Sequence, residues 1–136
     1  MKKVVAVVAA LLSAQAAQAQ IYACQSIDAT GFAWKGSTWT RTNFQGQKPF
    51  FLRVENGLIT KESAAAPLNG TVSRITCTRE AVASPVVLAC SDYATIISFS
   101  PDTGNGAVAK VFGATQATGD TRKDTVSTDM FTCQRM

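Results

Sequence analysis

Four cysteines, nine carboxylates and no histidine set the range of chemistry open to this chain of 136 residues. Without an imidazole the usual general base is missing, and so is the commonest zinc ligand. A nucleophilic cysteine needs a free thiol beside a base or in a positive field, and no histidine is present to provide one. Paired carboxylates are the remaining acid–base option. Glu55 and Glu62 flank one candidate hairpin, while Asp120, Asp124 and Asp129 gather near the end of the chain. Glycoside hydrolysis needs two such groups about 5–10 Å apart across a cleft; here Arg122 and Lys123 stand among the aspartates as surface partners. No Ser-x-x-Lys spacing occurs. Asp102-Thr103-Gly104-Asn105-Gly106 has the oxygen-rich start of a calcium loop, but no carboxylate follows through Gly113, so it reads as a β-turn. These patterns point away from an enzyme, a metal site or a cofactor.

Binding chemistry is better represented. Phe32, Trp34, Trp39, Phe44, Phe50 and Phe51 place six rings within 20 residues. Such a cluster is either a stacking wall for a sugar, peptide or other planar ligand or the core of a small β domain, and the core is the expectation. Trp34 and Trp39 are an odd number of residues apart, so one strand cannot show both on one face; they are expected to flank a turn at Lys35-Gly36-Ser37. Two turn tips therefore carry the candidate binding residues: Trp34, Lys35 and Trp39 at the first, Asp102 and Asn105 at the second.

The elements that position these residues follow from compartment and periodicity. Residues 1–19 have the form of a secretory signal: Lys2 and Lys3, an apolar run from Val4 to Leu12, then Ala17-Gln18-Ala19 as a small-x-small cleavage site. The run is too short for a permanent span, which takes about 20 apolar residues. Cleavage after Ala19 leaves a single domain over residues 20–136 with no stable membrane anchor. It also lowers the 13 basic residues to 11 against 9 acidic ones. A net charge of +2 is too small to imply a nucleic-acid partner. In an oxidising compartment an even number of cysteines implies disulfides. Four cysteines allow three pairings. The local pattern favours one of them: a hairpin folded about the loop that contains Ser84-Pro85 can bring Cys77 opposite Cys90, with Cys24 and Cys133 then joining the first and last strands.

The rest reads as short strands broken by turn signals. Candidate strands are Ile21 to Gln25, Gly31 to Lys35, Ser37 to Asn43, Phe50 to Val54, Leu58 to Lys61, Thr71 to Thr78, Val86 to Cys90, Ala94 to Phe99, Ala107 to Phe112 and Thr125 to Cys133. Asn56-Gly57 between two of them is a strong hairpin signal, since both residues tolerate positive φ. Asn69-Gly70-Thr71 fits an N-glycosylation acceptor and reads as a turn. One short helical turn is expected at Ser63 to Ala66, stopped by Pro67. The fold class is all-β, a small closed or nearly closed antiparallel barrel with two disulfides, or alternatively a β-sandwich.

Cys90-Ser91-Asp92, Ser98-Phe99-Ser100-Pro101-Asp102-Thr103-Gly104, Lys123-Asp124-Thr125-Val126-Ser127 and Phe131-Thr132-Cys133-Gln134 resemble, as a set, small exported proteobacterial proteins of unassigned function. Gly31-Phe32-Ala33-Trp34, Trp39 and Phe50-Phe51-Leu52 extend that resemblance over most of residues 20–136. At the level of fold the chain is also similar to periplasmic lysozyme inhibitors, some of which begin with a Tyr-x-Cys like Tyr22-Ala23-Cys24. Their inhibitory Ser-Gly signature is absent, Gly36-Ser37 having the reverse order. The function expected is that of a periplasmic or secreted binding protein, its partner an extracytoplasmic protein or a small ligand. An inhibitor of a lysozyme-like enzyme and a small-ligand carrier are the sharper forms of that expectation.

Overall fold

The computed structural model describes residues 18–80, 84–111 and 125–136. Nine described strands form one antiparallel sheet: β1 (Gln20–Lys35), β2 (Thr38–Asn43), β3 (Phe50–Glu55), β4 (Leu58–Ile59), β5 (Thr76–Glu80), β6 (Val87–Asp92), β7 (Thr95–Phe99), β8 (Asn105–Lys110) and β9 (Thr125–Arg135). Eight run in the order β4-β3-β1-β9-β8-β7-β6-β5, and the sheet curls until β4 lies alongside β5 and β6 without pairing to them. This is a nearly closed barrel rather than a sandwich. At eight strands the interior is just wide enough for side chains to fill.

β1 holds the structure together. Its first half pairs with β3 and its second with β2 on one side, while β9 runs along the other from Tyr22↔Arg135 to Ala33↔Thr125. The two strands expected at Ile21 to Gln25 and Gly31 to Lys35 are therefore one strand with an irregularity between Ser26 and Asp28. That β-bulge leaves Ile27 outside the ladder and 64% exposed, and it reverses the alternation. Tyr22 and Cys24 face in before it, Ala29 and Ala33 after it.

The core fills one half of the barrel. Tyr22 meets Phe99 edge-on at 4.9 Å, Phe50 meets Phe131 at 5.2 Å, and Phe99 stacks on Phe131 at 6.4 Å. Leu52, Ile75, Leu88 and Ile97 close around them, all essentially without exposure. Both disulfides are cross-strand: Cys24–Cys133 joins β1 to β9, and Cys77–Cys90 joins β5 to β6, each at directly opposed positions. Of the six clustered aromatics only Phe50 belongs to this core. Phe51 and Phe32 are exposed on the outer wall, and Trp34, Trp39 and Phe44 are half-buried. The bulge is the physical reason for Phe32 and Trp34, because it turns the even positions of late β1 outward.

The turn chemistry is as the residues dictate at Asn56-Gly57, which takes φ values of 51° and 75° between β3 and β4. The helical segment is longer than expected. α1 (Lys61–Leu68) includes Pro67, tolerated because the helix closes directly afterwards. Asn69 turns left-handed, and its N–H and that of Gly70 donate to the carbonyls of Ala66 and Ala65. The strand expected at Thr71 to Thr78 begins only at Thr76, after a 3₁₀ turn at Val72–Arg74.

Candidate functional site

The half of the barrel that the aromatic core leaves unfilled opens as a cavity of about 410 Å³. Its floor and walls come from inward positions at one end of four strands: Ala29 on β1, Thr95 on β7, Val108 and Lys110 on β8, Ser127 and Asp129 on β9. The pairings Val108↔Asp129 and Lys110↔Ser127 set those side chains in adjacent rows. Three connections form the rim: the loop after β2 (Phe44, Gln45, Gln47), the end of α1 (Pro67 to Asn69) and the β6–β7 link at Asp92 to Ala94.

Asp129 organises the mouth. It is only 8% exposed, and its carboxylate accepts from Ser26 Oγ at 2.5 Å and from the Gln47 N–H at 2.7 Å. One side chain thus ties β9 to the bulged segment of β1 and to the loop after β2. Gly46 makes that loop possible, since a side chain there would overlap Ser26 Oγ. Gln47 Nε2 in turn donates to the Pro67 carbonyl at 2.9 Å, fixing the loop to α1. Asp92 anchors the opposite rim: its Oδ2 accepts from the Thr71 N–H at 3.2 Å, and Oδ1 is buried with no hydrogen-bond partner among the described residues. Lys110 makes no ion pair among the described residues.

Tyr93 stands out at the rim. β6 and β7 are joined across Asp92↔Thr95 by Tyr93-Ala94, and Tyr93 takes φ 51°, a region where a bulky residue is strained. Its ring is 82% exposed, with the Arg74 guanidinium 5.6 Å from its centroid.

No family model, curated protein or solved structure matches the chain. The five residues singled out in the sequence do not form one site. Trp34 and Trp39 are cross-strand partners across the Gly36-Ser37 turn, edge-to-face at 5.4 Å, with exposed Lys35 beside them; they lie at the cavity end of the barrel. Asp102 and Asn105 lie at the other end, where β9 finishes, as the Asn105↔Thr132 pairing requires. Asp102 is engaged structurally, accepting from the Val86 N–H at 2.9 Å. Glu55 and Glu62 do line one open groove between β3 and α1, with Glu55 ion-paired to Arg53. Asp120, Arg122, Lys123 and Asp124 lie outside the described residues, as do residues 1–17 of the expected signal segment.

The mouth residues Asp92, Tyr93, Lys110 and Asp129 were not expected as a site. One signal was available for Asp129: alternation puts it on the same face as Phe131 and Cys133, and a carboxylate in phase with core residues is out of place unless it is bonded. Tyr93-Ala94 carries no Gly, Asn or Asp, so its turn leaves no mark in the sequence.

Proposed function

We propose that this chain is an extracytoplasmic binding protein that holds a small ligand at the open end of its barrel. The observation that carries the reading is the division of the interior: one half is filled by aromatic core, and the other is a 410 Å³ cavity lined by both apolar and polar groups. Ligand pockets are typically concavities of about 300–1,000 Å³ with a few convergent polar groups. A carrier with a ligand deep in the barrel is not supported, because Tyr22, Phe50, Phe99 and Phe131 occupy that space.

The cysteines support the compartment. Two disulfides with no free cysteine suit an oxidising environment. Among the described residues no helix is long and apolar enough to cross a membrane. Export by residues 1–19, with cleavage after Ala19, accounts for the disulfides and would leave Gln20, the first residue of β1, at the new N-terminus. The test is a thermal-shift and intrinsic-fluorescence screen of the oxidised mature protein against small ligands of every charge class. Saturable stabilisation by one class is the expected result; no response to any class would sink the proposal.

A second reading, capture of a protein partner, rests on the β1–β2 hairpin. β2 pairs with β1 alone among the described strands, and its other edge, unpaired among the described residues, is where an added strand would dock. Its outer face joins the Trp34–Trp39 pair to Phe32, which is 48% exposed. The sharpest form of this reading, inhibition of a lysozyme-like enzyme, is checked by cell-wall lysis assays against lysozymes of several classes. Undiminished lysis in all of them would remove it.

A further inference from the structure

We infer that the ligand of the barrel mouth is a neutral, hydroxyl-rich molecule of mono- or disaccharide size, an inference that rests on the small-ligand reading of the cavity. Charge comes first. Among the described residues the lining holds one cation, Lys110, and two carboxylates, Asp92 and Asp129. An anion drawn to Lys110 would share the cavity with both carboxylates, and a compact cation drawn to the carboxylates would meet Lys110. Moreover, both oxygens of Asp129 already accept internal hydrogen bonds. The polar groups left over are of mixed sense: the Lys110 ammonium donates, Asp92 Oδ1 accepts, the Ser127 and Thr95 hydroxyls do either, and the Gln45 and Asn69 amides offer both. A hydroxyl is itself donor and acceptor, so a ring bearing several of them satisfies such a lining without importing charge.

The second observation is Tyr93. Glycine would relieve its left-handed backbone, yet a large ring stands there, exposed at the lip of the cavity. Strained residues persist where the surroundings enforce them, and they gather at ligand sites. Arg74 lies over the ring on one side, and the high exposure leaves the other side open. An open aromatic face beside a polar cavity suits the C–H face of a pyranose, whose slightly positive hydrogens meet the negative π surface.

The experiment uses the oxidised mature protein and isothermal titration with glucose, galactose, mannose, N-acetylglucosamine, maltose, cellobiose and chitobiose. Glutamate, inorganic phosphate and spermidine serve as charged probes. At least one saccharide is expected to bind saturably. Tyr93→Gly should weaken it roughly three- to tenfold while leaving the melting temperature unchanged or raised. Tyr93→Phe should keep the affinity within about twofold, since the ring face is retained. Lys110→Met should weaken binding, and Ile96→Ser on the outer wall should not. If a charged probe binds and no saccharide does, the ligand class is wrong and the cavity reading survives. If nothing binds, both fall. Saccharide binding untouched by Tyr93→Gly and Lys110→Met would place the sugar elsewhere and overturn the inference. A Tyr93→Gly variant that melts lower and is not rescued by Tyr93→Phe would make Tyr93 a structural prop and overturn its role.

Discussion

Replacing Asp129 by alanine tests whether one buried carboxylate holds the barrel mouth in shape. The substitution removes the acceptor for Ser26 Oγ, 2.5 Å away, and for the Gln47 N–H, 2.7 Å away. Hydrogen bonds to a charged group contribute about 1.5–3 kcal/mol each. Both donors would be left at the edge of a cavity that water can enter, so their desolvation penalty is partly recovered and the lower end of the range applies. The expected loss is about 3 kcal/mol, a large share of the 5–15 kcal/mol that stabilises a typical domain. Asp129→Asn keeps one acceptor oxygen but presents an NH₂ to the other donor, so a cost of about 1.5 kcal/mol is expected, one bond rather than two. Ser26→Ala removes only its own bond and should cost less than Asp129→Ala.

The assay is urea unfolding with the disulfides intact, followed by circular dichroism and tryptophan fluorescence. Amide hydrogen exchange at Gln47 reports the loop directly, and its protection should fall in Asp129→Ala before global unfolding. A double-mutant cycle isolates the pair: Ser26→Ala should cost less in the Asp129→Ala background than alone, with a coupling of about 1–2 kcal/mol. A loss below about 0.5 kcal/mol for Asp129→Ala, or strict additivity with Ser26→Ala, would refute the idea that this side chain organises the mouth.

The two disulfides should differ in worth. Removing Cys24–Cys133, which closes a separation of 109 residues, should cost about 4–5 kcal/mol, and removing Cys77–Cys90, with a separation of 13, about 3 kcal/mol in the chain-entropy account; paired Cys→Ser variants compared in urea check the order. The exported protein should give an intact mass that starts at Gln20, with all four thiols protected from alkylation until reduction. Phe131→Ala, in the centre of the aromatic core and 1% exposed, should cost about 3–5 kcal/mol, read from the same urea curves.

Much of the barrel was legible because its signals are local. Asn56-Gly57 marks a hairpin by conformational freedom, Cys77 and Cys90 bracket another on either side of the loop that holds Ser84-Pro85, and Phe50-Leu52-Val54 alternate with exposed neighbours along β3 as a half-buried strand must. The cavity was not legible, because its residues come from β1, β7, β8 and β9 and from three loops, brought together only by sheet closure. Lys110 and Asp92 look like ordinary strand-end charges until the barrel curls them inward. The length of α1 was hidden for a similar reason. Pro67 normally ends a helix, but here the last turn is secured by the left-handed Asn69 and by burial of Leu68, which packs into the core.

The aromatic cluster was misplaced for a reason that also explains the site. Strict alternation from Tyr22 and Cys24 carries the inward face on through Ser26, Asp28, Thr30, Phe32 and Trp34. An unbroken ladder with β9 would then set Asp28 opposite Asp129 and Phe32 opposite Thr125, burying two carboxylates face to face and driving both rings into the mouth. Like charges opposed across a strand pair are destabilising, and more so when buried. Displacing Ile27 from the ladder exposes one isoleucine and loses regular pairing at one position, a smaller penalty than an opposed buried carboxylate pair. The same slip pairs Asp129 with Ala29, leaves room for Gly46 and Gln47 to close over it, and turns Phe32 and Trp34 to the outside. The cavity and the exposed aromatic face are thus two consequences of one extra residue in β1.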